Sequence, residues 1–213
     1  MKLDKIKNFI FDLGGVIINL DVPATYKKFS EFTGVSQEDI ANIVHSTDVF
    51  LDYEKGKISS ELFRDGVRDL VKNDISDQLI DEAWLAMLQD IPVERLDLVK
   101  RLNKNFKTFI LSNTNEIHIQ EFHKIVDKGY GLENFRSIFN KVYYSYEMGK
   151  RKPDAEIFEQ VLEENNLVAE ETLFIEDSSD NIKAAEALGI STYHVPSNQL
   201  DLSYFTNGIL KGA

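Results

Sequence analysis

The 213-residue sequence contains no cysteine. That excludes a disulfide framework, a thiolate nucleophile and a zinc–thiolate centre. Basic residues are also scarce: 24 Lys and Arg stand against 36 Asp and Glu, for a formal net charge of −12. So acidic a chain lacks the cationic surface that neutralises nucleic-acid phosphates. It likewise lacks a polybasic anchor for an anionic membrane. No apolar run approaches the roughly 20 residues of a membrane span, and the charged start Met1-Lys2-Leu3-Asp4-Lys5-Ile6-Lys7 does not read as a secretion signal. A cytoplasmic location is expected. An acidic protein can still take a phosphorylated ligand if it carries a local device for it: a metal ion, a lysine or a set of backbone amides.

The apolar residues are organised in two patterns. Short runs that are aromatic or β-branched, and end in polar or glycine residues, read as buried strands: Phe9-Ile10-Phe11 before Asp12, Thr108–Leu111 before Ser112, Val142–Tyr144, Leu173–Ile175 before Glu176, and Tyr193–Val195. Between the first two, residues 20–90 show helical spacing instead. Four helices are expected there: one around Tyr26 and Phe29, one after the capping box Ser36-Gln37-Glu38-Asp39, and one each on the Leu62–Val71 and Leu79–Leu88 stripes. Val93–Leu102 and Ile182–Leu188 read as helices too, the second closed by Gly189. Strands alternating with helices predict an α/β fold, a doubly wound and mostly parallel sheet. A helical unit of residues 20–90 is inserted into a core made of 1–19 and 91–213.

In open α/β sheets, ligands bind at the carboxyl ends of the strands. The residues predicted there are Asp12, Ser112-Asn113 and Glu176-Asp177, with Lys152-Pro153-Asp154 opening a helix nearby. Taken singly, each has a bland reading: a turn aspartate, a loop-start serine, a solvated lysine, acidic residues ahead of a helix. Together they gather carboxylates, a hydroxyl, an amide and one ammonium at one edge. His118 and His123 follow Ser112-Asn113 on an expected helix and read as surface or packing residues, and Tyr143-Tyr144 reads as packing.

This ordered set resembles the haloacid dehalogenase-like (HAD) hydrolase superfamily. Its four motifs correspond to Phe9-Ile10-Phe11-Asp12-Leu13-Gly14-Gly15-Val16, Phe109-Ile110-Leu111-Ser112-Asn113, Gly149-Lys150-Arg151-Lys152-Pro153-Asp154, and Phe174-Ile175-Glu176-Asp177-Ser178. The Asp-Leu-Gly-Gly turn looks closest to the branch of glucose-1-phosphate phosphatases. The resemblance implies a HAD-like core with a helical cap, and a Mg²⁺-dependent phosphatase acting on a small phosphorylated metabolite such as a sugar phosphate. Asp12 would be the nucleophile, forming an aspartyl-phosphate. Mg²⁺ would be held by Asp12, the Gly14 carbonyl and Asp177, with Glu176 in an outer position. Lys152 would keep Asp12 ionised and neutralise phosphate charge. Ser112, Asn113 and the amides of Leu13, Gly14 and Gly15 would bind phosphate oxygens. A monomer or homodimer is expected. A 2-haloacid dehalogenase and a catalytically weak binding or regulatory protein are the competing readings.

One departure stands out. The family's phosphatases usually carry a second aspartate two residues after the nucleophile, as general acid and base, and here that residue is Gly14. Such a group contributes about 10²–10⁴-fold. Its loss implies a preference for good leaving groups, such as anomeric sugar, acyl or aryl phosphates, unless another acid, for instance Glu176 through water, fills the role. Tyr53-Glu54-Lys55-Gly56-Lys57 and Asn19-Leu20-Asp21 read as loops able to reach the organic half of the ester.

Overall fold

The computed structural model describes residues 5–201 and Phe205. Five strands form one sheet: β1 (Asn8–Phe11), β2 (Lys107–Ser112), β3 (Lys141–Tyr144), β4 (Thr172–Glu176) and β5 (Ser191–His194). Their order is β3-β2-β1-β4-β5, and every pairing is parallel. Eleven α-helices are seen among the described residues: α1 (Val22–Thr33), α2 (Gln37–Ser46), α3 (Asp48–Glu54), α4 (Ser60–Val71), α5 (Asp77–Leu85), α6 (Val93–Leu102), α7 (Glu116–Gly129), α8 (Leu132–Ser137), α9 (Ser145–Met148), α10 (Ala155–Glu164) and α11 (Ser179–Ala187). None is long and apolar enough to cross a membrane.

The strand runs are continuously apolar because both faces of the sheet are covered. Phe9, Phe11, Ile110, Leu173 and Ile175 point into a cluster with Leu98 and Val99 of α6 and Phe122 of α7. The alternate residues Ile10, Phe109, Leu111 and Phe174 point the other way, onto Ile157 and Phe158 of α10 and Ala185 of α11. That alternation is the doubly wound arrangement the sequence predicts.

Helices α1–α5 have their own apolar centre. Phe29, Ile40, Phe50, Phe63, Val67, Ile80 and Trp84 pack there, and Ile117 of α7 joins them. The expected capping box is present, with the Ser36 hydroxyl accepting from the Asp39 amide. Five helices fill this stretch rather than the expected four. The extra one is α3, whose seven residues are too short to show a periodic stripe; it absorbs Tyr53 and Glu54, which the sequence reads as loop.

The central position of β1 places the site. Its neighbours are β2 and β4, and Phe11 lies level with both Ile110 and Ile175. The residues just beyond these positions are Asp12, Leu111-Ser112 and Glu176-Asp177, so the chemistry-bearing ends of three adjacent strands converge.

Candidate active site

Asp12 follows β1, its amide bonded to the Ile175 carbonyl at 2.9 Å. Lys152 reaches it from the loop between α9 and α10. The Lys152 ammonium donates to Asp12 Oδ1 at 2.8 Å and to Glu176 Oε2 at 2.7 Å. It is buried, with only 1% of its side chain exposed. Asn113 explains how a loop lysine is held there. Its Nδ2 donates to the Lys152 carbonyl and its Oδ1 accepts from the Lys152 amide, both at 2.8 Å. Its side chain therefore clamps the lysine backbone, a role the sequence does not disclose.

Glu176 is fully engaged. Besides Lys152, its other oxygen accepts from the amides of Asp177 and Ser178 at 3.1 Å. Asp177 is half-buried and is hydrogen-bonded by Ser197. Ligand oxygens of Asp12, Glu176 and Asp177 all lie within 4.8 Å of one another. Gly15, with φ +71°, makes this possible: a Cβ there would lie 2.3 Å from Asp177 Oδ2.

Three carboxylates thus face one ammonium. Burial raises the Asp12 pKa to about 7, with Lys152 pulling down and the charges of Glu176 and Asp177 pushing up further. Burial also raises Asp177, and the Glu176 charge adds to it. For Glu176, burial is outweighed by Lys152, the Ser178 amide and a hydrogen bond with the Asp177 side chain, so its pKa falls below the usual range. Burial works against the Lys152 ammonium, but Asp12 and Glu176 outweigh it and raise its pKa. The cluster is short of positive charge and rich in hard oxygen donors, which is the chemistry that suits Mg²⁺. The Gly14 carbonyl accepts no hydrogen bond among the described residues and is available as a further donor.

The phosphate-facing groups divide. The Ser112 hydroxyl makes only a long 3.5 Å contact, to the Asn113 carbonyl, and is otherwise uncommitted. The Leu13 and Gly14 amides have no acceptor among the described residues. The Gly15 amide differs from expectation. It donates to the Ile18 carbonyl at 2.8 Å, closing the turn, and is not offered to a ligand.

Several supporting residues carry no sequence signal. Asn198 clamps Leu20, accepting from its amide and donating to its carbonyl at 2.8 Å, and its own amide bonds the Gly15 carbonyl at 2.7 Å. Buried Arg95 donates to the carbonyls of Ile17 and Asn198. His194 contacts the Asp177 carbonyl at 2.9 Å. His118 packs as expected, its ring stacked on Trp84 of α5 at 4.7 Å. A cavity of about 310 Å³ opens above the carboxylates, walled by Leu20 and by Glu54, Trp84 and Met87 from the helical insertion.

Comparison with known proteins agrees with this geometry. The sequence profile of haloacid dehalogenase-like hydrolases matches residues 6–189. A D-ribitol-5-phosphate phosphatase of Bacteroides thetaiotaomicron is 31% identical over 92% of this chain and 94% of its own length. A HAD-family enzyme of known structure from Bacteroides thetaiotaomicron is 39% identical, with a TM-score of 0.84, over 94% of this chain and 98% of that one. Its wild-type form has also been solved in complex with magnesium and inorganic phosphate. A predicted HAD-like hydrolase from Porphyromonas gingivalis is 32% identical, with a TM-score of 0.85, covering 95% of this chain and 97% of that one.

Proposed function

The chain belongs to the haloacid dehalogenase-like hydrolases, and we infer that it is a magnesium-dependent phosphatase whose nucleophile is Asp12. The observation that carries this reading is the cluster of Asp12, Glu176 and Asp177 around the single Lys152 ammonium. A carboxylate approaching a phosphate dianion meets strong repulsion. Magnesium, held by Asp12, Asp177 and the Gly14 carbonyl, would supply the charge that offsets it. Lys152 pulls against the burial that raises the Asp12 pKa, favouring its ionised form, and adds positive charge beside the transferring phosphoryl group. Ser112 and the Leu13 and Gly14 amides take its oxygens. The Asp12 carboxylate attacks phosphorus, the ester oxygen departs, and water hydrolyses the resulting aspartyl-phosphate.

Helices α1–α5 act as a cap on the core. They close the cavity and exclude water from it. The substrate is a small phosphomonoester. The ribitol-5-phosphate phosphatase relative favours a phosphorylated polyol or sugar. A metal-free haloacid dehalogenase is disfavoured because three carboxylates around one lysine leave the site short of a cation.

The test is a panel of phosphorylated sugars and polyols assayed with Mg²⁺, then with EDTA. Turnover is expected only with Mg²⁺. Asp12→Asn should fold like the parent and lose turnover altogether. An Asp12→Asn enzyme working at the parent rate, or a parent indifferent to EDTA, would refute the reading.

A further inference from the structure

The general acid and base that Gly14 lacks must come from elsewhere, and the structure narrows the choice. Gly14 carries no titratable group. The Leu20 side chain fills the space beside it, with Cδ1 2.7 Å from where a Gly14 Cβ would lie, and the Leu20 backbone is held by two Asn198 hydrogen bonds. Of the other titratable groups lining the cavity, Asp12, Asp177 and Lys152 already serve as nucleophile, metal ligand and phosphate partner in the reading above, and Glu176 is spent on Lys152 and two amides. His118 has one ring nitrogen on the Trp84 carbonyl at 3.0 Å and the other on Asn115 at 3.3 Å. The Tyr26 hydroxyl faces His45. Glu54 remains.

Glu54 ends α3 on the cap and lines the same cavity as Asp12, Ser112 and Lys152. Its side chain is 24% exposed. Oε2 accepts from Arg151 Nε at 3.1 Å and lies 3.0 Å from Nη2, while Oε1 accepts no hydrogen bond among the described residues. The placement is built in. Lys55 pairs with Asp154 at 2.9 Å. Gly56, with φ +63°, sits so tightly on the core that a Cβ would be 2.1 Å from the Tyr146 carbonyl oxygen. Arg151 and Lys152 are neighbours, so one backbone segment sets Lys152 on Asp12 and Arg151 on Glu54.

We propose that Glu54 is the general acid and base of this enzyme, delivered from the cap. The proposal rests on the phosphatase reading above. In the first step the Glu54 carboxyl gives its proton to the ester oxygen as the phosphorus–oxygen bond breaks and the bond to Asp12 forms. In the second, its carboxylate takes a proton from the water that attacks phosphorus. The bond to Asp12 breaks, orthophosphate leaves, and Glu54 is again protonated. Burial lifts the Glu54 pKa above the ordinary carboxylate range, while Arg151 and Lys152 pull against it, which is the direction that favours a proton donor.

The experiment compares Glu54→Gln with the parent on p-nitrophenyl phosphate and phenyl phosphate, with Mg²⁺ and rapid mixing. Nitrophenolate leaves well without a proton; phenolate does not. In Glu54→Gln the phosphorylation step with p-nitrophenyl phosphate should stay within about tenfold of the parent, while that with phenyl phosphate falls about 10²-fold or more. Steady-state turnover should fall with both, because dephosphorylation loses its base, giving a burst of nitrophenolate. Glu54→Asp should recover part of the phenyl phosphate rate. Equal losses in the phosphorylation step on both substrates, or no loss in that step on phenyl phosphate, would overturn the role. Asp12→Asn run alongside separates the two ideas: an inactive Asp12→Asn with an unaffected Glu54→Gln overturns only the role of Glu54, whereas an active Asp12→Asn overturns the reading beneath it.

Discussion

Lys152 is the residue on which the local electrostatics turn. Its ammonium is the one cation bonded to both Asp12 and Glu176 among the described residues. Removing one member of a buried ion pair costs about 3–5 kcal/mol, because the remaining charge is left without a partner. Lys152→Met should therefore lower stability by about that amount in EDTA, read from urea denaturation, and Mg²⁺ should restore part of it by neutralising the same carboxylates. Turnover should fall by about 10²–10³-fold, the scale of losing one preorganised charge at the transition state. An unchanged urea midpoint in EDTA would mean that the ammonium is not paired as the structure shows. Most of this cluster is legible in the sequence, because Asp12, Ser112, Glu176 and Asp177 each lie where an apolar run ends. Glu54 is legible only as part of the Tyr53–Lys57 segment expected to reach the ester, and Asn198 not at all. Their individual roles depend on contacts made across long stretches of chain, such as Glu54 to Arg151 and Asn198 to Leu20, which no local pattern encodes.

At the scale of elements, the strands and the sheet are readable because burial on both faces leaves an unbroken apolar signature. Helices α1–α5 are readable as helical but not in detail, since the seven residues of α3 hold Val49, Phe50, Leu51 and Tyr53 too close together to show a helical stripe. How helices α1–α5 meet the sheet and its helices is not written in either. It is made by α5 and α3 on α7: Trp84 Nε1 donates to Asn115, His118 contacts the Trp84 carbonyl, and the Ile117 amide donates to the Tyr53 hydroxyl. His118 makes this junction acid-sensitive. Burial pushes its pKa down to about 4, whereas in an unfolded chain histidine titrates near 6.5. A lowered histidine contributes stability that is complete above about pH 6.5 and lost as pH falls towards 4. Each pH unit in that window is worth about 1.4 kcal/mol, so between pH 6.5 and 5 this residue should cost the parent about 2 kcal/mol. His118→Gln should be less stable at pH 7 yet fall less over that interval. Parallel slopes for the two proteins, measured by urea denaturation at several pH values, would show that His118 is not held neutral at the junction.

For the whole molecule, the question is whether a chain of net charge −12 gathers cations diffusely or at one place. Both stabilise, and the two are separable. Diffuse screening depends on ionic strength and not on which cation supplies it. A ligand that binds only the folded state stabilises by RT ln(1 + [L]/Kd), about 2.7 kcal/mol at a hundredfold excess over Kd. In a protein of this size that amounts to a melting shift of roughly 5–10 °C. At constant ionic strength, Mg²⁺ should raise the melting temperature of the parent by that amount, and NaCl at the same ionic strength should not. Asp177 is the discriminating residue. It is half-buried, it lies against the glycine turn that follows Asp12, and it is not bonded to Lys152. Asp177→Asn removes one carboxylate from the cluster while changing the net charge by a single unit, so diffuse binding should barely notice it. The Mg²⁺-specific shift should fall to a small fraction in this variant. A shift that persists undiminished would place the cation elsewhere on the acidic surface, and the convergence of three strand ends would then have to be explained without a metal.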